Sequence, residues 1–280
     1  MKLAFQLLLL FVLSFQVQAE VSDYPVVFVH GIANRFEDWR PMAEQISNQP
    51  VYSAGFARSG LIETDAPDTI STPGSIWLLS YYRPNPVKET ITGDLTLYSQ
   101  RLAQLIALVK QKTGSEKVVI VAHSMGGLVS RFYMSHELAH WQSVYRILTV
   151  GTPHRGVYLS PPILGQLQDL ASNSDFISQL DKQWVSFPEA NKKWGVIGAV
   201  SFLNGPLPVN GLSSDFAGPG YVSLYSSIPF GEWELALKQP EKADLNTEHF
   251  GYRLLLHSGH RELLKHSAVK TAINWAREVN

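Results

Sequence analysis

Along this chain, short unbroken apolar runs alternate with stretches whose apolar residues recur every three or four positions. Pro25-Val26-Val27-Phe28-Val29 is the first such run after the N-terminal segment, followed by Ser75 to Tyr82, Val118 to Ala122, Tyr145 to Val150, Val196 to Val200 and Tyr252 to Leu256. Runs of this length, rich in β-branched residues, predict strands buried on both faces. Between them, Trp39, Met42, Ala43 and Ile46 mark one helix. Leu95, Tyr98, Leu102, Leu105, Ile106 and Val109 mark a longer one, capped by Thr92 or Asp94 and stopped at Thr113-Gly114. Leu128 to Met134 is helical after two glycines. A terminal helix running from Arg261 buries Leu264, Ala268, Ala272 and Trp275. Residues 53–74 and 204–220, rich in small residues and proline, read as loop or irregular. The alternation predicts an α/β fold: a mostly parallel sheet of about six strands with helices on both faces.

The N-terminal segment departs from that pattern. Lys2, an unbroken apolar run from Leu7 to Leu13 and the small residue Ala19 predict a signal peptide over 1–19, cut before Glu20. The expectation is a secreted or periplasmic protein whose residues 20–280 form one domain. The segment 157–188, with Leu159, Ile163, Leu164, Leu167, Phe176 and Trp184, interrupts the alternation and stands as a lid or cap insertion or a packed helical one. The chain has no cysteine, which excludes disulfides, and its net charge of −1 with scattered basic residues argues against nucleic acid as a partner. No metal-ligand rhythm is present, so no metal and no cofactor is expected, and no stable protein partner is indicated.

Chemistry enters at Ala122-His123-Ser124-Met125-Gly126-Gly127, where a strand meets a helix. A serine with small residues two before and two after it fits a sharp strand-to-helix turn that exposes its hydroxyl at the helix N-terminus. A serine hydroxyl needs a base, an acid to orient the base, and N–H donors for the oxyanion. In chain order the acid and base follow the serine. His260, in the loop after the last strand, is the candidate base, with His257 its rival; His266 reads as a surface histidine within the terminal helix and His249 precedes the strand. Asp215, the first carboxylate after the strand at 196–200, is the candidate acid. The candidate oxyanion donors are the N–H groups of Met125 and of Ile32, where His30-Gly31 turns the chain out of the first strand. His30, Gly31, His123 and Gly126 support this arrangement.

The segments Pro25 to Ile32, Ala122 to Gly127 and Gly151-Thr152-Pro153-His154-Arg155-Gly156 resemble the α/β-hydrolase superfamily, and most of all bacterial secreted triacylglycerol lipases and their esterase relatives. The resemblance runs from Pro25 to about Leu180 and returns at Gly259 to Leu264. It implies a serine ester hydrolase acting on lipid or small acyl esters, with transient contact to a lipid interface; phospholipid, thioester or lipid-anchor deacylation with the same triad is the alternative, and a binding protein on a hydrolase fold a further one. It also implies oxyanion donors at Ile32 and Met125 and a structural His154. Two features depart from the family. Pro219 stands before Gly220-Tyr221-Val222 where many relatives carry the acid, and the chain starts at the strand that is third in larger members, which predicts a reduced sheet.

Overall fold

The computed structural model describes residues 22, 24–46, 48–72, 74–154, 156, 165–184, 186–187, 193–200, 251–256 and 261–278. The expected leader, Asp215, His249, His257 and His260 lie outside these residues. The described residues contain eight strands: β1 (Val26–Val29), β2 (Val51–Phe56), β3 (Ile62–Thr64), β4 (Ile76–Ser80), β5 (Val118–His123), β6 (Val144–Val150), β7 (Trp194–Val200) and β8 (Gly251–Leu256). They form one sheet in the order β3-β2-β4-β1-β5-β6-β7-β8. Every neighbouring pair is parallel except β2 with β3.

All six strands expected from the apolar runs are present. The other two, β3 and most of β2, lie in the segment read as a loop and bring the mostly parallel sheet to eight strands. Val51-Tyr52-Ser53-Ala54-Gly55-Phe56 is half-exposed and contains a serine and a glycine, so it lacks the continuous apolar run of a central strand. It is held instead by pairing in parallel with β4, from Val51 opposite Ile76 to Gly55 opposite Ser80. A tight turn then reverses the chain: the Ala57 N–H donates to Leu61 O at 2.8 Å, the Gly60 N–H to Ala57 O at 3.0 Å, and Gly60 has φ +88°. That left-handed φ suits glycine.

Successive residues of the central strands point to opposite faces, as their pleat requires. Val27, Val29, Ile120 and Ala122 pack with α3 (Leu95–Thr113) and α4 (Met125–His136); Val26, Phe28, Val119 and Val121 pack with α1 (Arg40–Ile46) and with a C-terminal helix, Ser267–Arg277. Asp94 is the N-cap of α3, accepting the Leu97 N–H at 2.7 Å, and Gly114 ends it with φ +66°. A separate short helix, α2 (Pro86–Thr92), precedes that cap. Further along lie α5 (Leu138–Gln142), α6 (Gln166–Asp169) and α7 (Asp175–Trp184), and the C-terminal helix is α8.

The terminal helix is not continuous from Arg261. A 3-10 turn, Glu262–Lys265, is followed by His266, whose Nδ1 accepts the Ala268 N–H at 3.1 Å. His266 is therefore the N-cap of α8 rather than a residue within a helix; a side-chain acceptor at the start satisfies an N–H that the helix leaves unpaired. In the inserted segment, α7 packs its Phe176, Ile177, Leu180 and Trp184 into the core, with Phe176 stacked on Phe132 of α4 at 5.1 Å.

A buried ion pair ties α2 to α3. Arg101 Nη1 donates to Glu89 Oε2 at 2.7 Å and to the Tyr81 carbonyl at 3.1 Å. Glu89→Ala leaves the Arg101 guanidinium buried against Tyr98 and Phe56 without its carboxylate. The expected cost is about 3 kcal/mol, read from the urea midpoint. A shift below about 0.5 kcal/mol would show that the pair contributes little.

Candidate active site

β1, β4, β5 and β6 all end at one edge of the sheet, where His30, Gly31, Ile32, His123, Ser124, Met125 and Gly126 meet, while Asp215 and His260 lie outside the described residues. Ser124 follows β5 directly and is the N-cap of α4, with φ +53° and ψ −130°. This backbone conformation is strained for any residue with a Cβ. It persists because both sides of the turn are tied down: the Ser124 N–H donates to Val150 O at 2.9 Å, and its carbonyl accepts the Gly127 N–H at 3.0 Å.

The small residues around Ser124 are explained by what lies beyond them. A Cβ on Gly126 would fall 2.3 Å from the His30 carbonyl oxygen and 3.0 Å from that of Val29. One on Gly31 would fall 2.7 Å from the Ser124 Cβ. The exit loop of β1 and the first turn of α4 are thus in backbone contact, which sets Gly31-Ile32 against Ser124. One on Gly127 would fall 2.1 Å from Thr152 Oγ1, so the loop after β6 closes the same corner. Met125 is fully buried and Ile32 half-buried. Among the described residues, neither of their backbone N–H groups donates to an acceptor. Ala33, next in the loop, is again left-handed, with φ +53°.

His30 is a support. Its ring stacks on Tyr81 with centroids 4.2 Å apart, meets Tyr82 edge-on, and donates from Nδ1 to its neighbour Gly31 O at 2.9 Å. The Tyr81 hydroxyl in turn donates to the His30 carbonyl at 2.7 Å. Burial lowers the His30 pKa to about 4 from 6.5. As pH falls below 6.5 the unfolded chain takes up this proton first, and the folded protein follows only near 4. Stability from this group is therefore complete above about 6.5 and is lost as pH falls toward 4. Between pH 7 and pH 5 it should remove about 2 kcal/mol from wild type. His30→Asn should lack that component in paired urea titrations; equal slopes in the two proteins would refute it.

His123 is also buried, its Nδ1 accepting the Asn34 amide at 3.3 Å and its ring facing the edge of Trp39. His154 is buried and tied in place: Thr149 Oγ1 lies 3.0 Å from its Nε2, Arg131 donates to its carbonyl, and its ring meets Trp194 edge-on. Arg131, fully buried between Trp184 and Trp194, reaches Asp181 at 2.9 Å and so binds α4 to α7 and to the loop after β6.

The sequence did not single out Tyr81 and Tyr82, which lie just past β4 and line the site edge. The Tyr82 hydroxyl donates to Gln166 Oε1 of α6 at 2.7 Å. Burial pushes the phenol well above its ordinary pKa, so it stays an uncharged hydroxyl that donates. An aromatic pair at a strand end was the available signal, but nothing in its spacing pointed to a loop fifty residues earlier. Beside it a cavity of about 820 Å³ runs from Asn34 and Phe36, past Ser80 and Tyr82, to the β2–β3 hairpin. Among the described residues no group of three His, Asp or Glu side chains is placed to hold a metal, and no helix is long and apolar enough to cross a membrane.

Residues 83–193 match a family model described as a PGAP1-like alpha/beta domain. A triacylglycerol lipase of Pseudarthrobacter phenanthrenivorans is 30% identical over 146 residues, covering 48% of this chain and 34% of that protein. A GPI inositol-deacylase of Candida albicans is 27% identical over 158 residues, covering 56% and 37%. The chain thus spans about a third of the length of the curated relatives it matches. Among solved structures, a gene product of Listeria innocua superposes with a TM-score of 0.59 at 15% identity, covering 90% of this chain and 92% of the other. The mature form of the Bacillus licheniformis lipase BlEst2 does so with a TM-score of 0.55 at 16% identity, covering 94% and 95%.

Proposed function

We propose, from the α/β-hydrolase fold that this chain has and the lipases that it resembles, that it is a serine carboxylester hydrolase acting on lipid or other acyl esters. The observation that carries this reading is the strained Ser124 at the tip between β5 and α4, with the Gly31-Ile32 loop pressed against it. In the proposed reaction Ser124 Oγ attacks the ester carbonyl and gives its proton to His260. The oxyanion is held by the N–H groups of Ile32 and Met125, and Asp215 orients and stabilises the histidinium. His260 then passes the proton to the departing alcohol, leaving an acyl-Ser124 ester. Water attacks that ester, again losing a proton to His260, and the carboxylic acid leaves as Ser124 recovers its hydrogen.

Fluorophosphonate labelling followed by peptide mapping tests this directly. The label is expected on Ser124 alone; folded protein that takes no label, or takes it elsewhere, would overturn the mechanism. Asp215→Asn kinetics then test the acid. We further propose that residues 1–19 direct export, so that the mature protein begins at Glu20; N-terminal sequencing of exported protein would reveal a different start if this is wrong.

A further inference from the structure

We infer that a basic cavity beside this site binds a phosphate group, and that the esters this chain cleaves carry one; the second clause rests on the ester-hydrolase reading above. The cavity, about 490 Å³, lies between the β2–β3 turn, the β4–α2 loop and the outer faces of α2 and α3. Its walls carry Arg58, Arg83, Lys88 and Arg101 against a single carboxylate, Glu89. In a chain of net charge −1, this is a local excess of three positive charges.

The carboxylate is already committed. Glu89 Oε2 takes Arg101 at 2.7 Å, and Oε1 takes the Arg83 backbone N–H at 3.3 Å. Among the described residues, Arg58, Arg83 and Lys88 have no carboxylate within ion-pair distance. Nor is Arg83 a freely swinging surface chain. Its guanidinium lies on the hairpin turn, Nη2 only 2.9 Å from where a Cβ on Gly60 would stand. Gly60, required by its φ of +88°, is also the residue that leaves room for that seat. Cations on three separate elements facing one space repel each other unless an anion joins them. Two guanidinium forks and an ammonium approaching from different elements suit the several oxygens of a tetrahedral phosphate better than one planar carboxylate.

Position links the cavity to the ester site. Arg58, Arg83, Pro84 and Asn85 wall both this cavity and the larger one that begins at Asn34, whose amide is bonded to His123 beside Ser124. The larger cavity sets Glu37, Glu63 and Asp65 against Arg35, Arg58 and Arg83, so the excess of positive charge lies at the Lys88 end, which favours placing a phosphate there.

The test compares wild type with Arg58→Gln/Arg83→Gln, both positions being exposed, on dihexanoyl phosphatidylglycerol and on dihexanoylglycerol, which lacks the phosphate. The kcat/KM ratio of phospholipid to diacylglycerol is expected to fall about tenfold or more, chiefly through KM. Lys88→Gln, made singly, should shift the ratio in the same direction. An unchanged ratio overturns the substrate assignment. Calorimetric titration with inorganic phosphate separates the two sources of the anion. Binding lost in the double variant with an unchanged ester ratio means a free-phosphate site and overturns the lipid headgroup. Absence of phosphate binding together with an unchanged ratio overturns the site itself. If folded wild type cleaves neither ester, the hydrolase reading fails, while the phosphate titration still decides the site.

Discussion

Replacing Ser124 by alanine is expected to lower ester turnover roughly 10⁶-fold and to abolish fluorophosphonate labelling, while leaving the fold intact. The hydroxyl is the group on which the proposed base, acid and oxyanion donors all act, so its loss removes their joint effect rather than a fraction of it. Ser124→Gly sharpens the test. The residue holds φ +53° and ψ −130°, a conformation glycine adopts without the clash that a Cβ brings. The glycine variant should be as inactive as the alanine one yet more stable, by about 1 kcal/mol, in urea unfolding. That gain measures the strain the turn carries to present the nucleophile. Retained turnover in either variant would overturn the assignment of Ser124; a glycine variant no more stable than the alanine one would show that the turn stores no such strain.

The second large effect is expected at Gly126, which touches no substrate in the proposed mechanism. Its alanine variant places a methyl 2.3 Å from His30 O and 3.0 Å from Val29 O. Both are backbone atoms and cannot swing aside as a side-chain tip would, so α4 must lift or the 30–32 loop must shift. Either movement separates the Met125 and Ile32 N–H groups, whose joint placement defines the oxyanion position in the proposed mechanism. A displacement of about 1 Å there is expected to cost about 10²-fold in kcat, together with about 1–3 kcal/mol of stability. Gly114→Ala is the control. It also lies at positive φ, but a Cβ there meets nothing within 4 Å. It should lose about 1 kcal/mol with turnover unaffected. If Gly126→Ala kept full kcat, the backbone contact between the two loops would not be what sets the site.

These two glycines separate what could be read along the chain from what could not. The elbow at Ser124 was legible because its cause is local: a buried strand ends, a helix begins, and the bond between them must lack bulk. The six apolar strands and the amphipathic helices were legible for the same reason, since burial on two faces or one stripe writes itself as a short repeat. The hairpin of β2 and β3 was not. Ser53, Gly55 and the half-exposed Val51 carry a weak repeat, and the strand exists because β4 offers it a parallel edge. The break at His266 was missed because a histidine rarely announces itself as a cap; its ring nitrogen serves only once the chain bends there.

The amino-acid sequence by itself determined the alternation of buried strands and covering helices, the strand-to-helix turn at Ser124, and the His30-Gly31 loop as its companion. Each of these is a short-range consequence of which residues shun water and which tolerate a bend. Only the tertiary structure decided that Gly126 must be glycine because a carbonyl ninety-six residues earlier rests on it, that Tyr82 reaches Gln166, and that Arg58 and Arg83 share a cavity with Lys88. Those relations depend on how the sheet orders its strands, and hydrophobic periodicity, being blind to that order, leaves no trace of them along the chain.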